Sequence, residues 1–164
     1  MRWTYCMARQ PGNIMALDWY RQSGLKTMIA TATQSGPAAL LPFDDSGEKL
    51  SDKGIVAIRS FIQLAAEKKI DGMLCTAWDD RSLHFETYWR GLIASAQYSW
   101  SPDKLSLDEF QRAYFQREFG PATIGYTDLY KQLREGVTFW TAAFNPQGNR
   151  LDYENALLEL PGIA

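Results

Sequence analysis

The tripeptide Trp78-Asp79-Asp80 combines residue types that could bind a sugar. An indole ring packs on the C–H face of a pyranose, and a neighbouring carboxylate accepts hydrogen bonds from two of its hydroxyl groups. Two other interpretations are open, since Trp78 could be a core side chain and either aspartate could cap the helix that begins near Phe85. The tripeptide stands at the end of an apolar strand, and parallel α/β proteins build their sites at the carboxyl ends of strands. Its position therefore favours binding.

Two other predicted strands end in residues that could line the same site. The first strand ends in the segment from Tyr5 to Arg9, and the second ends in the segment from Thr31 to Gln34. Because the carboxyl ends of parallel strands lie at one edge of a sheet, we expect all three ends to lie close together. The candidate substrate-binding residues at these strand ends are Trp78, Asp80, Asp79 and Tyr5.

The sequence contains no recognisable set of residues for nucleophilic catalysis or for metal binding. His84 is the only histidine, and no serine or cysteine stands at a spacing typical of a catalytic triad, so we interpret it as a solvated side chain. The sequence has no H-x-x-x-H or C-x-x-C motif, so we expect neither a metal nor another cofactor. Cys6 and Cys75 lie in apolar segments and are expected to be free buried thiols. No catalytic residue is assigned.

Strand–helix units repeat three times along the chain. Apolar runs predict strands from Arg2 to Ala8, Leu25 to Thr33 and Met73 to Trp78, and helical spacing of apolar residues predicts a helix after each strand. Asn13 and Asp52 are predicted to cap the first two helices, and Gly24 to end the first. Two further amphipathic helices are predicted from Leu107 to Phe119, with Ser106 as a cap, and from Thr123 to Phe144.

This order of elements predicts an α/β fold with a parallel sheet, because strand–helix–strand units pair in parallel with right-handed crossovers. A complete (β/α)8 barrel needs about 250 residues, whereas the chain has 164. We therefore expect a partial (β/α)8 TIM barrel, made of its last three β/α units, over residues 1–105. Residues 106–164 are expected to form a helical extension packed on it. Exposed strand edges would favour self-association.

Composition narrows the possible partners. Hydrophobic residues make up 46% and charged residues 22%, a balance typical of globular proteins. A net charge of −2 provides no electrostatic footprint for nucleic acid. No apolar run approaches the roughly 18 residues of a membrane span, and the first residues lack the pattern of an export signal, which leaves localisation open. Six Trp and eight Tyr suit a carbohydrate partner.

The stretch from Asp71 to Trp100, DGMLCTAWDDRSLHFETYWRGLIASAQYSW, resembles the last strand and helix of glycoside hydrolase family 20, the β-N-acetylhexosaminidase family. In that family a Gly-led apolar strand ends in Trp-x-Glu, and the following helix carries Trp and small residues. The resemblance implies that Trp78 forms a wall of the pocket for the terminal sugar and that Asp80 binds its outer hydroxyl groups. Trp3 resembles a pocket Trp of an earlier strand, so the resemblance adds Trp3 to the candidate substrate-binding residues. Packing of Trp3 in the core is at least as good an interpretation.

The chain also departs from the family pattern. Asp80 stands where the family more usually has Glu, and the preceding strand has Thr31, Thr33 and Gln34 where the family usually has a Tyr that holds the acetamido group. The family's Asp-Glu pair, which orients that group and protonates the leaving oxygen, belongs to an earlier strand. The resemblance thus implies sugar-binding residues of a hydrolase for terminal β-linked hexosamine, inactive as an isolated chain. A non-catalytic carbohydrate-binding or assembly module and a barrel glycosidase of another family remain alternatives.

Overall fold

A computed structural model describes residues 1–4, 8–33, 54–77, 89–133 and 136. Strands and helices alternate through its first three units, and two more helices follow. The elements are β1 (Arg2–Trp3), α1 (Pro11–Gln22), β2 (Met28–Ala32), α2 (Gly54–Glu67), β3 (Gly72–Thr76), α3 (Trp89–Trp100), α4 (Leu107–Phe119) and α5 (residues 126–133).

The three strands form a parallel sheet in the order β1-β2-β3. Trp3 pairs with Ala30, and Ala30 in turn pairs with Leu74 of β3. Thr4 extends the pairing of β1, because its N–H donates to the Ala30 carbonyl at 3.1 Å. The predicted α/β class and parallel pairing are confirmed.

The two faces of the sheet have different surroundings. Successive strand side chains point to opposite faces, so Ile29 and Met73 share one face, and Ile29 belongs to the buried core that the helices form over it. Ser95 of α3 lies 3.7 Å from the Met73 sulfur, which places α3 on that same side. We call this the helix-covered face. Trp3 and Leu74 lie on the opposite face, the open face, where both are exposed.

Local sequence signals account for both ends of α1. Pro11 is the first helical residue, and its fixed φ suits that position. The cap position belongs to Gln10, so the prediction that Asn13 caps this helix is wrong: Asn13 lies two residues inside it. At the other end Gly24 takes a φ of +68°, and Leu25 donates to the Tyr20 carbonyl, as in a Schellman motif. The predicted stop at Gly24 is confirmed.

The predicted cap of α4 is also confirmed. Ser106 accepts from the Glu109 N–H at 3.2 Å, and the Glu109 carboxylate accepts from the Ser106 N–H at 2.8 Å. This capping box satisfies backbone donors that the first turn of a helix leaves open. It also accounts for Glu109, an exposed residue whose carboxylate binds the start of the helix. The cap predicted at Asp52 lies outside the described residues.

One continuous core joins the helices to the sheet. Leu17 of α1, Ile58 of α2 and Tyr98 of α3 are all fully buried in it. Phe110 and Phe115 of α4 belong to the same cluster, and the rings of Phe110 and Tyr98 lie 5.7 Å apart. The helix α4 therefore packs on the strand–helix units through aromatic side chains.

Candidate functional site

The carboxyl ends of the three parallel strands lie at one edge of the sheet, as the sequence predicted for the candidate site. The strands β1, β2 and β3 end at Trp3, Ala32 and Thr76. Of the predicted binding residues, Trp3 is described. The other four, Tyr5, Trp78, Asp79 and Asp80, lie outside the described residues, as does His84.

Trp3 lies on the open face, and its side chain is 42% exposed. It forms a row across the sheet with Ala30 and Leu74, its neighbours in register. Neighbouring strands are about 4.8 Å apart, so the backbones of Trp3 and Leu74 stand about 10 Å from each other. An indole with this much accessible area is not fully buried in a hydrophobic core. It retains a surface on which a ligand could stack.

Thr31 and Thr33 do not share the face of Trp3. Strand alternation and the pairing of Thr31 with Cys75 put Thr31 on the helix-covered face, where it is buried. Thr33 lies next to α3, because a Cβ added at Gly91 would stand 2.7 Å from the Thr33 Cβ. Among the described residues neither hydroxyl has a hydrogen-bond partner. The expectation that these threonines line the site beside Trp3 is therefore not met, and Gln34 lies outside the described residues.

The buried side-chain amide of Asn13 binds β1 and Thr4 from the helix-covered face. Arg2 Nε donates to Asn13 Oδ1 at 2.8 Å, and Asn13 Nδ2 donates to Thr4 Oγ1 at 3.4 Å. Both hydrogen bonds reach residues that flank Trp3. Sequence analysis missed this role, because an Asn just after Pro-Gly has the same signature as a helix cap. A signal that could have found it is the polar residue on the buried side of an amphipathic helix.

Arg90 holds the start of α3 against the later helices. Its guanidinium carbon lies 5.5 Å from the ring centroid of Phe115 and 4.8 Å from that of Tyr130. Burial lowers the pKa of Arg90 to about 10, while Tyr130 and Tyr114 act in the opposite direction. Cation–π contacts of this kind offset part of the cost of burying the charge. They join α3 to α4 and α5.

The remaining features contribute no further site residues. No group of three or more His, Cys, Asp or Glu that could hold a metal occurs within the described ranges. Of the helices that the structure describes, none is long and apolar enough to cross a membrane. A cavity of about 220 Å³ between α4 and the start of α5 is lined by Arg112, Phe115, Gln116, Pro121, Thr123, Ile124, Gly125 and Thr127.

Fold and site together define an α/β protein with a parallel sheet, an exposed tryptophan on its open face and a helix layer on the other face. No protein-family model, curated protein or solved structure matches the chain. Any inference about its function therefore depends on the residues of the chain itself.

Proposed function

We propose that this chain is the C-terminal part of a (β/α)8-barrel glycoside hydrolase similar to family 20, and that it supplies sugar-binding side chains for the hydrolysis of terminal β-linked hexosamine. The observation that carries the proposal is the parallel sheet whose strand ends share one edge. Trp3 ends β1 there, and in the sequence Trp78-Asp79-Asp80 begins two residues after β3 ends at Thr76. Such edges are where parallel α/β enzymes bind their substrates.

An exposed apolar surface supports the barrel in this proposal. In a closed barrel the face opposite the helices is the packed interior, and here that face carries the exposed side chains Trp3, Met28 and Leu74. This surface suits a sheet that continues into further β/α units.

Each proposed binding residue has a distinct physical role. Trp78 stacks on the sugar ring and forms a wall of the pocket, and Trp3 offers a second aromatic surface. Asp80 accepts hydrogen bonds from the outer hydroxyl groups, with Asp79 beside it. A charge-assisted hydrogen bond to such a carboxylate contributes about 1.5–3 kcal/mol, which corresponds to roughly ten- to a hundredfold in affinity.

Binding of N-acetylglucosamine, measured by saturation-transfer NMR, tests these roles. We expect Trp78→Ala to abolish the transfer and Asp80→Asn to weaken binding by roughly tenfold or more. Trp100→Ala is the matched control, because Trp100 is 89% exposed at the far end of α3, about 16 Å along the helix axis from its start. Equal loss in the Trp100 variant, or intact binding in the Trp78 variant, would contradict the proposed site.

An assay of hydrolysis distinguishes catalysis by the isolated chain from sugar binding. The isolated chain should not hydrolyse aryl β-N-acetylhexosaminides, because the family's Asp-Glu pair belongs to an earlier strand, whereas Asp108-Glu109 of this chain lies in the first turn of α4. Clear turnover would contradict this division of roles.

The gene sequence upstream of Met1 tests whether the parent protein is a hydrolase. Further strand–helix units with an Asp-Glu pair at a strand end would support the hydrolase. An unrelated domain there would favour a carbohydrate-binding module.

A further inference from the structure

Asn13 is a fully buried polar side chain in the first turn of α1. Asn is a poor helix former, because its amide competes for backbone hydrogen bonds. Burying that amide costs free energy unless its polar atoms are paired. It does not cap the helix, because its own N–H already donates to the carbonyl of Gln10 at 3.0 Å. The placement of this residue is therefore explained by what its side chain binds.

The side-chain amide of Asn13 contacts both neighbours of Trp3. Its oxygen accepts from Arg2 Nε at 2.8 Å, and its nitrogen donates to Thr4 Oγ1 at 3.4 Å. Because side chains alternate along a strand, residues on either side of Trp3 point to the helix-covered face while Trp3 points to the open face. The two hydrogen bonds thus bracket the Cα of Trp3 from the opposite side of the sheet.

We infer that Asn13 is a positioning residue that sets the orientation of Trp3 at the candidate sugar site. The strand β1 has two residues and pairs with β2 alone among the described strands, so its backbone ladder constrains its twist only weakly. The hydrogen bonds of Asn13 to Arg2 and Thr4 restrict the conformations that this short ladder leaves open to the β1 backbone. Trp3 then presents its ring to the open face in one direction, which lowers the entropy lost when a ligand stacks on it. The sugar in this inference rests on the proposed function, whereas the positioning of Trp3 does not.

Fluorine NMR of the chain labelled with 5-fluorotryptophan tests the positioning. The six tryptophans give six resonances, and Trp3→Phe assigns the one of interest. Asn13→Ala should shift or broaden the Trp3 resonance while that of Trp100 stays in place. Thr4→Val removes only the hydroxyl that Asn13 binds and keeps the side-chain shape, so it should move the Trp3 resonance in the same direction by a smaller amount. It also keeps the test valid if Asn13→Ala does not fold.

Leu17→Ala is the matched control for a merely structural role. Leu17 is fully buried in the same helix, and its truncation loosens the packing of α1 without removing either hydrogen bond. We expect it to lower the Tm and leave the Trp3 resonance in place. If Leu17→Ala moves that resonance as much as Asn13→Ala does, or if Asn13→Ala and Thr4→Val both leave it unchanged, the inference is overturned.

Titration with N-acetylglucosamine distinguishes failure of the inference from failure of the proposed function. In the wild-type chain the sugar should shift the Trp3 resonance, and Asn13→Ala should weaken the apparent affinity by roughly three- to tenfold. A Trp3 resonance that moves in Asn13→Ala but ignores the sugar supports the positioning and contradicts the sugar site. A sugar response of equal affinity in both proteins, with a Trp3 resonance that Asn13→Ala does not move, overturns the positioning and leaves the sugar site standing.

Discussion

Gly91 lets α3 lie against the end of β2. A Cβ added at this position would stand 2.7 Å from the Thr33 Cβ, 2.8 Å from its Cγ2 and 3.3 Å from its Cα. Carbon atoms this close repel strongly, and the Thr33 backbone cannot rotate away as a long side chain could. The packing of α3 on the sheet therefore depends on the absence of a side chain at Gly91.

Gly91→Ala should therefore lower the free energy of unfolding by about 1–3 kcal/mol. Urea unfolding followed by circular dichroism measures the change. Gly12→Ala is the matched control, because a Cβ at Gly12 meets no heavy atom within 4 Å and the residue also lies in a helix. The control should be neutral or stabilising by up to about 1 kcal/mol, the difference in helix propensity. Equal effects of the two substitutions would rule out the close approach as the cause.

At the scale of elements, the capping box of α4 makes helix stability depend on pH. The Glu109 carboxylate accepts from the Ser106 backbone N–H and from its hydroxyl, and these hydrogen bonds lower the pKa of Glu109. A carboxylate whose folded pKa is lowered stabilises the folded state above the unfolded pKa and loses that contribution as pH falls through the folded pKa. The unfolded pKa is near the ordinary value of 4.5.

We expect Ser106→Ala to lower the free energy of unfolding by about 0.5–2 kcal/mol at pH 7. Glu109→Gln should be less stable than the wild type at pH 7, and that difference should shrink as the pH of the urea unfolding is lowered from 7 towards 3, because protonation of the carboxylate removes its charge. Glu118→Gln removes a charge from the other end of α4 without touching Ser106, and it is the matched control. If the difference in the free energy of unfolding between the wild type and Glu109→Gln stays constant from pH 7 to pH 3, the carboxylate is not the acceptor.

At the scale of the whole molecule, the open face of the sheet should drive self-association. Trp3, Met28 and Leu74 are exposed on it, and an apolar sheet face with accessible edges pairs readily with another chain. We expect dimers or larger species at micromolar concentration in light scattering. Leu74→Lys places a charge on this face and should shift the chain towards monomer.

Ile124→Lys is the control for that substitution, because Ile124 is an equally apolar side chain that is fully exposed in the loop between α4 and α5 and not on a strand. It should leave the association state as it is. A monodisperse wild-type monomer with cooperative melting would show that the open face does not act in this way. So would an equal change in both variants.

The sequence by itself determined those features that depend on neighbouring residues. The alternation of strands and helices follows from local apolar periodicity, and parallel pairing follows from the strand–helix–strand order. The stop at Gly24 and the cap at Ser106 depend on backbone groups within a few residues, so the local pattern was enough to predict them. Trp78, Asp79, Asp80 and Tyr5 stay predictions of the same local kind.

Only the tertiary structure decided features that join distant parts of the chain. The contact of Gly91 with Thr33 spans most of two strand–helix units, and no local pattern marks either residue for it. Thr31 lies under the helices while Trp3 lies on the open face, because register and the side of the crossovers, not residue type, select the face. Asn13 has the local signature of a cap, yet its amide binds Arg2 and Thr4, since the packing of α1 on β1 buries it beside them.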